Sequence, residues 1–314
     1  MILTRSPLRI PLGGGGTDFP SYYLKHGGYI LGFALDKYVH VALNKTLDNK
    51  IRLKYSKTEC VDSLDELENR VAAETLKYYD IEGGIEVATF SDVPEGSGLG
   101  GSSSFCVALV SALRCLLDLD QDKEIIFSDA YRIERQLAGQ PGGMQDQWFA
   151  SYGSVHCFEL GEQDEATKSR SINVDDFIKN LRLVYTGTGR NDLGIADRQT
   201  KQSTDQDTMM LWNLQMTKIL GRKIEDNIRE GNFDAVGQIF HTHWLNKKER
   251  DESISNSVVD QMYEEGLNNG ALGGKLLGLG GGGYLMFYTN NGWYPDKHIP
   301  IGIDREGCKV VYKS

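Results

Sequence analysis

The chain has 314 residues, 40% of them hydrophobic and 25% charged, with a formal net charge of −10. This is an ordinary globular composition, with length enough for one large domain or two of usual size. No apolar run approaches the ~20 residues of a membrane span. The acidic excess argues against nucleic acid as the main partner, because backbone binding needs clustered Lys and Arg. An anionic small substrate stays open, since a pocket can be locally positive on an acidic protein. The amino-terminal MILTRSPLRI lacks the apolar core and cleavage site of a signal peptide, so the expected location is cytoplasmic. The five cysteines are scattered without a CxxC pair, which argues against zinc or dithiol chemistry.

In chain order, GYILGFALDKYVHVALN at 28–44 is rich in β-branched and aromatic residues and predicts a bent strand. Residues 62–79 predict a helix opening on Asp62 or Ser63, with Leu64, Leu67, Val71 and Leu76 on one face. GIEVATF at 84–90 alternates as a strand does. Phe105 to Leu117 predicts a helix apolar on most faces, hence buried, with Cys106 and Cys115 as buried thiols. Asp122 to Ala138 predicts a second helix. The polar GEQDEATKSRSIN at 161–173 reads as a surface loop and a domain boundary. Beyond it lie mainly helices, with a strand at LRLVYTG (181–187) and a strand–loop–strand unit around GGGG at 280–283. The expected class is α+β, since strict β-α-β alternation is missing.

The 36 glycines cluster at four places: GGGG at 13–16, GSGLGG at 96–101, GQPGG at 139–143 and GGKLLGLGGGG at 273–283. No period relates them, so this is not a repeat protein; four independent tight turns would explain any one cluster, but convergence on one ligand explains all four better. VPEGSGLGGSSSF at 93–105 leaves a strand, passes small residues and enters a helix. The first N–H groups of that helix lack intrahelical partners, and with the helix dipole they favour an anion. Ser102, Ser103 and Ser104 add hydroxyls suited to phosphate or to magnesium. A serine N-cap accounts for one serine but not for Gly96, Gly98, Gly100 and Gly101 together. Gly96, Gly98 and Gly101 also satisfy G-x-G-x-x-G. One helix separates them from Asp120, however, so a dinucleotide fold is the weaker reading. GGK at 273–275 lacks the context of a Walker A loop.

Taken together, the four clusters resemble the GHMP kinases, the superfamily of galactokinase, homoserine kinase, mevalonate kinase and phosphomevalonate kinase. PEGSGLGGSSS (94–104) is similar to their phosphate-binding motif, PLRIPLGGGGTDF (7–19) to their substrate motif, GQPGGMQDQ (139–147) to a galactokinase segment, and KLLGLGGGGY (275–284) to their carboxy-terminal motif. GGGGTD, MQDQ and residues 241–266 and 270–288 further resemble the D-glycero-D-manno-heptose 7-phosphate kinase branch. The resemblance implies two domains, 1–165 and 175–314, the first like ribosomal protein S5 domain 2 and the second ferredoxin-like. It implies ATP and Mg²⁺ as cofactors, a sugar or sugar phosphate as partner, and phosphorylation of the anomeric hydroxyl of heptose 7-phosphate. Kinases of other sugars and a catalytically silent sugar sensor are the alternatives, and a homodimer is admitted.

By matched position, the resemblance makes Asp146 and Arg9 catalytic. Pro94, Gly96, Gly98, Leu99, Gly100, Gly101, Ser102, Ser103 and Ser104 would bind ATP. Glu134 and Ser102, with Ser103 in reserve, would hold the metal. Gly15, Gly16, Thr17, Asp18, Gly143, Lys247, Lys248 and Gly281 would meet the substrate; Thr17 and Asp18 are also placed to cap a helix over 19–24. Galactokinases carry Glu and His before T-D where Gly15 and Gly16 stand here, which disfavours galactose and fits a longer or phosphorylated substrate. A substrate phosphate needs cations, for which Lys247, Lys248, Arg190 and Lys275 are the candidates.

Overall fold

Two long strands at the start of the chain organise the molecule. A computed structural model describes residues 1–161, 168–188, 194–295 and 298–314. The first half runs β1 (Ile2–Gly13), α1 (Pro20–His26), β2 (Gly28–Lys45), β3 (Ile51–Lys54), β4 (Thr58–Val61), α2 (Arg70–Tyr78), β5 (Ile85–Ser91), α3 (Gly101–Leu116), α4 (Lys123–Tyr131), α5 (Gln145–Tyr152), β6 (Val155–Leu160) and β7 (Lys168–Ser171). The second half runs α6 (Asp175–Ile178), β8 (Leu181–Tyr185), α7 (Ile195–Thr204), α8 (Thr208–Glu230), α9 (Phe233–Lys248), α10 (Ser257–Asn268), β9 (Gly273–Leu276), β10 (Tyr284–Tyr288), β11 (His298–Ile299) and β12 (Lys309–Lys313).

The strands form two sheets. The larger has the order β12-β1-β2-β5-β3-β4, and β6 and β7 continue from β2. β2 bends between partners: Gly28–Phe33 pairs with β6, and Val39–Lys45 pairs with β5. The smaller sheet has the order β11-β8-β10-β9 and is antiparallel throughout. The fold is therefore α+β, as expected. α3 packs on β1 and β2 and is buried on nearly every face, Val107, Leu109, Val110 and Leu113 having no exposed surface. Burying each such leucine stabilises the fold by ~1.5–3 kcal/mol, which anchors the N-terminus of α3 rigidly at the cleft.

Three expectations need correction. The helix over 62–79 is two pieces. A 3₁₀ turn at Leu64–Glu66 follows Ser63, and α2 begins only after Asn69, whose side chain accepts the Ala72 N–H at 3.0 Å. Asn69 is the stronger cap, and the apolar face spans both pieces because Leu64, Leu67, Val71 and Leu76 are all buried. The helix over 122–138 is α-helical to Tyr131 and then π-helical over Arg132–Leu137. In the polar stretch 161–173, Lys168–Ser171 is strand β7, paired with β6, while 162–167 lie outside the described residues. β12 likewise returns to the larger sheet, and Ile303 bridges to Leu35. Sheet membership thus crosses a division at 165–175, which stays a proposal about domains.

Candidate active site

The four glycine clusters meet along one cleft of about 750 Å³. β1 delivers Arg9 to it and, at its end, Gly15 and Gly16. The loop before α3 delivers Pro94, Gly96, Gly98, Gly100, Gly101, Ser102 and Ser103. The turn before α5 delivers Gly143 and, on its first turn, Asp146. Leu277 and Gly278 of the fourth cluster lie directly on the second. A Cβ on Gly98 would fall 2.8 Å from the Leu277 carbonyl oxygen, and one on Gly278 would fall 2.7 Å from Gly98 Cα. Backbone against backbone at this spacing admits only glycine.

At the entrance to α3, Gly100 sits in the left-handed region (φ 85°) as the N-cap. The first-turn N–H groups of a helix lack intrahelical acceptors. Here that turn is Gly101, Ser102 and Ser103, all on the cleft wall. A Cβ on Gly101 would meet nothing within 4 Å, so the cleft is open at this residue. A turn of this kind suits an anion. Ser104 points elsewhere: its hydroxyl donates to the Pro7 carbonyl at 2.8 Å and it is 1% exposed. Leu99 is wholly buried, and its carbonyl accepts the Arg9 N–H at 3.0 Å.

Arg9 and Asp146 form a two-pronged ion pair, Nε to Oδ1 at 2.8 Å and Nη2 to Oδ2 at 2.9 Å, with Nη1 on the Gly98 carbonyl at 2.6 Å. Such fork-to-carboxylate pairs fix orientation as well as adding energy. The guanidinium therefore joins the aspartate to the anion loop in one rigid unit.

Glu134 lies in the π-helical turn and is 1% exposed. Its Oε1 accepts from Ser102 Oγ at 2.9 Å and its Oε2 from Gln147 Nε2 at 2.6 Å, while Arg135 stands 3.5 Å away. A hydroxyl and a carboxylate beside a phosphate-sized site suit Mg²⁺, which keeps several waters and takes phosphate oxygens. Among the described residues no cluster of three His, Cys, Asp or Glu could hold a metal alone. The donor set fits a metal that arrives with a phosphate. Ser103 is turned to Arg135, whose Nη2 reaches its hydroxyl at 3.3 Å, so Ser102 is the serine beside Glu134.

Asp18 and Thr17 are wholly buried and do not face the cleft. Thr17 Oγ1 bonds the carbonyls of Gly14 and Tyr29, closing the glycine loop on itself. Asp18 does not cap α1, which starts at Pro20 after an uncapped Phe19. Its Oδ2 instead accepts the Gln145 N–H at 3.0 Å, capping the helix that carries Asp146. Burial raises its pKa. A Cβ on Gly143 would fall 2.0 Å from Asp18 Oδ2, which is why glycine stands there. These three residues position the helix that carries Asp146.

The proposed substrate cations separate. Lys248 turns outward to Asp260 at 2.6 Å. Arg190 lies outside the described residues. Gly281 is off the cleft, its N–H on the Ile254 carbonyl and its own carbonyl held by Asn256. Lys247 and Lys275 line the cleft, joined by two residues not anticipated, His243 and Arg250. The signal was present in HTHWLNKKER: positions 243, 247 and 250 recur at i, i+4 and i+7, one helical face, whereas 248 falls off it. Lys247 donates to the Leu276 and Gly278 carbonyls at 2.8 and 2.6 Å. Lys275 donates to the Leu12 carbonyl at 2.6 Å. Burial, then the charge of Arg9, brings its pKa down to about 7. Arg250 donates to Asn213 Oδ1, Gln199 Oε1 and Thr217 Oγ1 at 3.0, 3.2 and 2.9 Å, and burial lowers its pKa to about 10. His243 is 3% exposed and, among the described residues, neither ring nitrogen has a hydrogen-bond partner, its pKa held well below 6.5 by burial and then by Lys275, Arg250 and Lys247.

The chain resembles known proteins along most of its length. Residues 66–154 match the GHMP kinases N terminal domain. The mevalonate kinase of Archaeoglobus fulgidus is 37% identical over 228 residues, 72% of this chain and 73% of that enzyme. The chain belongs to the GHMP kinases. It is also 29% identical, over 92% of its length and 89% of the relative's, to the D-glycero-alpha-D-manno-heptose 7-phosphate kinase of Campylobacter jejuni. Its fold matches the crystal structure of a D-glycero-D-manno-heptose 1-phosphate kinase from Bacteroides thetaiotaomicron over the whole of both chains, with a TM-score of 0.76 at 21% identity. The protein is thus a kinase, and GHMP kinases use ATP as phosphate donor. No helix among the described residues is long and apolar enough to cross a membrane.

Proposed function

We propose that this GHMP kinase transfers the γ-phosphoryl group of ATP to the anomeric hydroxyl of D-glycero-D-manno-heptose 7-phosphate, giving the 1,7-bisphosphate. One observation carries the reading: the Arg9–Asp146 pair is tied through Gly98 to the N-terminus of α3, so a proton acceptor, a cation and an anion-binding turn share one cleft. The 29% relative acting on heptose 7-phosphate supports the choice of sugar, as does the absence of side chains at Gly15 and Gly16.

In this reading the amides of Gly101, Ser102 and Ser103 hold phosphate oxygens. Asp146 accepts a hydrogen bond from the attacking hydroxyl and takes up its proton, its orientation fixed by Arg9 and by the Asp18 cap. General-base assistance of this kind contributes ~10²–10⁴-fold in rate. Arg9 stabilises charge developing between donor and acceptor. Ser102 and Glu134 would hold Mg²⁺, which neutralises charge on the phosphates when bound. The buried π-turn fixes the Glu134 carboxylate, and Gln147 keeps one of its oxygens occupied.

The test is ADP release across a panel of heptose 7-phosphate, mannose, fucose, galactose and N-acetylhexosamines, with phosphorus NMR of the product. An anomeric phosphate on the heptose 7-phosphate is the expected result. Turnover of an unphosphorylated hexose alone would end the heptose assignment.

A further inference from the structure

Arg250, just past the end of α9, and Lys275 on β9 have no part in the chemistry above. The chain carries 44 acidic and 34 basic residues. Even so, among the described residues neither Arg250 nor Lys275 has a carboxylate within salt-bridge distance. Every hydrogen-bond partner of these two is a neutral oxygen. Arg250 uses three of its five N–H donors on Asn213, Gln199 and Thr217, which aim the guanidinium and leave two N–H groups over. His243, buried beside them, presents two ring nitrogens with no hydrogen-bond partner. Native interiors seldom leave such groups unsatisfied, and a buried charge without a counter-charge costs several kcal/mol. Arrays of this kind persist where a ligand brings the missing anion.

The position of the array says which ligand. Arg250 lies under Gly16: a Cβ there would fall 2.7 Å from Nη1 and 3.1 Å from Gln199 Nε2. Gln199 donates in turn to the Gly16 carbonyl at 2.9 Å. A glycine at position 16 therefore leaves room for the guanidinium at the cleft. Lys275 lies near enough to Arg9 for that charge to depress its pKa, which joins the array to the catalytic pair. Asp197, on the exposed face of α7, is the acidic residue of that helix on the same cleft.

We propose that Arg250, His243 and Lys275 form a phosphate subsite for the acceptor, holding a monoester at the end of the sugar remote from the hydroxyl that reacts. This rests on the sugar-kinase reading and narrows it to sugars that already carry a phosphate. Lys247 supports the subsite by holding the Leu276–Gly278 backbone and adding positive potential at His243. Phosphate could reach this wall from the acceptor or from the nucleotide, and the experiment separates the two.

Wild-type, Arg250→Gln and Lys275→Met enzymes are assayed with ATP and either heptose 7-phosphate or the same heptose without phosphate. A hydrogen bond to a charged group is worth ~1.5–3 kcal/mol, so each substitution should raise the KM for the phosphorylated acceptor by ~10–100-fold. The preference for the phosphorylated sugar should shrink by the same factor, while the KM for ATP stays within ~2-fold. A rise in the KM for ATP instead, or an equal loss with both acceptors, overturns the subsite while leaving the sugar-kinase reading intact. A second readout needs no turnover. With a non-hydrolysable ATP analogue filling the loop, calorimetry with inorganic phosphate should show a site in the wild type that is weakened at least ~10-fold in Arg250→Gln. Absence of that site in the wild type also overturns the proposal. If it is present in an enzyme that turns over no sugar, the subsite stands and the sugar reading fails.

Discussion

The two walls of the cleft treat charge in opposite ways. On the first-half wall, charged groups are matched: Arg9 with Asp146, and Glu134 with Ser102, Gln147 and Arg135. On the α9–β9 wall, among the described residues, Arg250 and Lys275 hydrogen-bond only to neutral oxygens and the His243 ring nitrogens have no hydrogen-bond partner. Matching serves chemistry that must be in place before any ligand arrives, because an oriented carboxylate needs something to hold it. Leaving cations unmatched serves recognition, because the counter-charge is what the site waits for. The free protein bears the cost, visible in the lowered pKa values of Lys275, Arg250 and His243.

The sharpest way to break this contrast is at Asp146. Asp146→Asn keeps the shape and removes the proton acceptor, so ADP release should fall ~10²–10⁴-fold. Thermal stabilisation by an ATP analogue should persist, since the α3 amides are untouched. Full turnover in the variant would remove Asp146 from the chemistry. Next in size is Glu134→Gln. Disturbing a metal's ligand shell costs ~10–100-fold in metal affinity, so the magnesium concentration for half-maximal rate should rise by that order, read by titrating Mg²⁺ at fixed ATP. An unchanged midpoint would leave Glu134 a packing residue for Gln147.

A smaller effect is expected on the other wall from Gly16→Ala. The residue has φ +96° and the added methyl would meet Arg250 Nη1 at 2.7 Å, so both strain and displacement follow. Strain at such a position is on the order of 1–3 kcal/mol. The KM for heptose 7-phosphate should rise by about tenfold or more, with the KM for ATP nearly constant. Equal rises in both would show that the two walls are not separable.

Much of the first-half wall was legible in the sequence because its function is written locally. Glycines at 96–101 and a serine at the helix start point to an anion within a few residues, whereas MQDQ alone could equally cap a turn and takes its part from the family resemblance. The strand patterns of β2, β5, β8 and β10 were legible for the same reason. What escaped depends on contacts between distant segments. Asp18 finds Gln145 across 127 positions rather than its own helix. Arg250 depends on Asn213 and Thr217, 37 and 33 positions away, to be aimed. Lys247 and Lys248 are neighbours in sequence and lie on different faces because a helix turns about 100° per residue. Ser104 looked like a ligand because three serines in a row gave no sign of which would face the core.

The mildest prediction concerns stability rather than rate. Lys275 has its pKa brought from 10.5 down to about 7 by burial. Between those values the unfolded chain binds the proton more fully than the folded one, so stability should rise as pH climbs from about 7 towards 10.5. At and below pH ~7 the burial penalty is close to full. Lys275→Met removes the ammonium at similar volume and loses its bond to the Leu12 carbonyl and its place over the Phe240 ring. The variant without ligand should therefore melt a few degrees higher than wild type at pH 7, at ~2–4 °C per kcal/mol, and the gap should close as pH rises. Scanning calorimetry at several pH values measures it. If the variant melts lower at pH 7, Lys275 is a structural donor to β1 and the contrast between the walls loses one of its members. A higher melting point together with a raised acceptor KM would mark a residue kept at the expense of stability for the anion it binds.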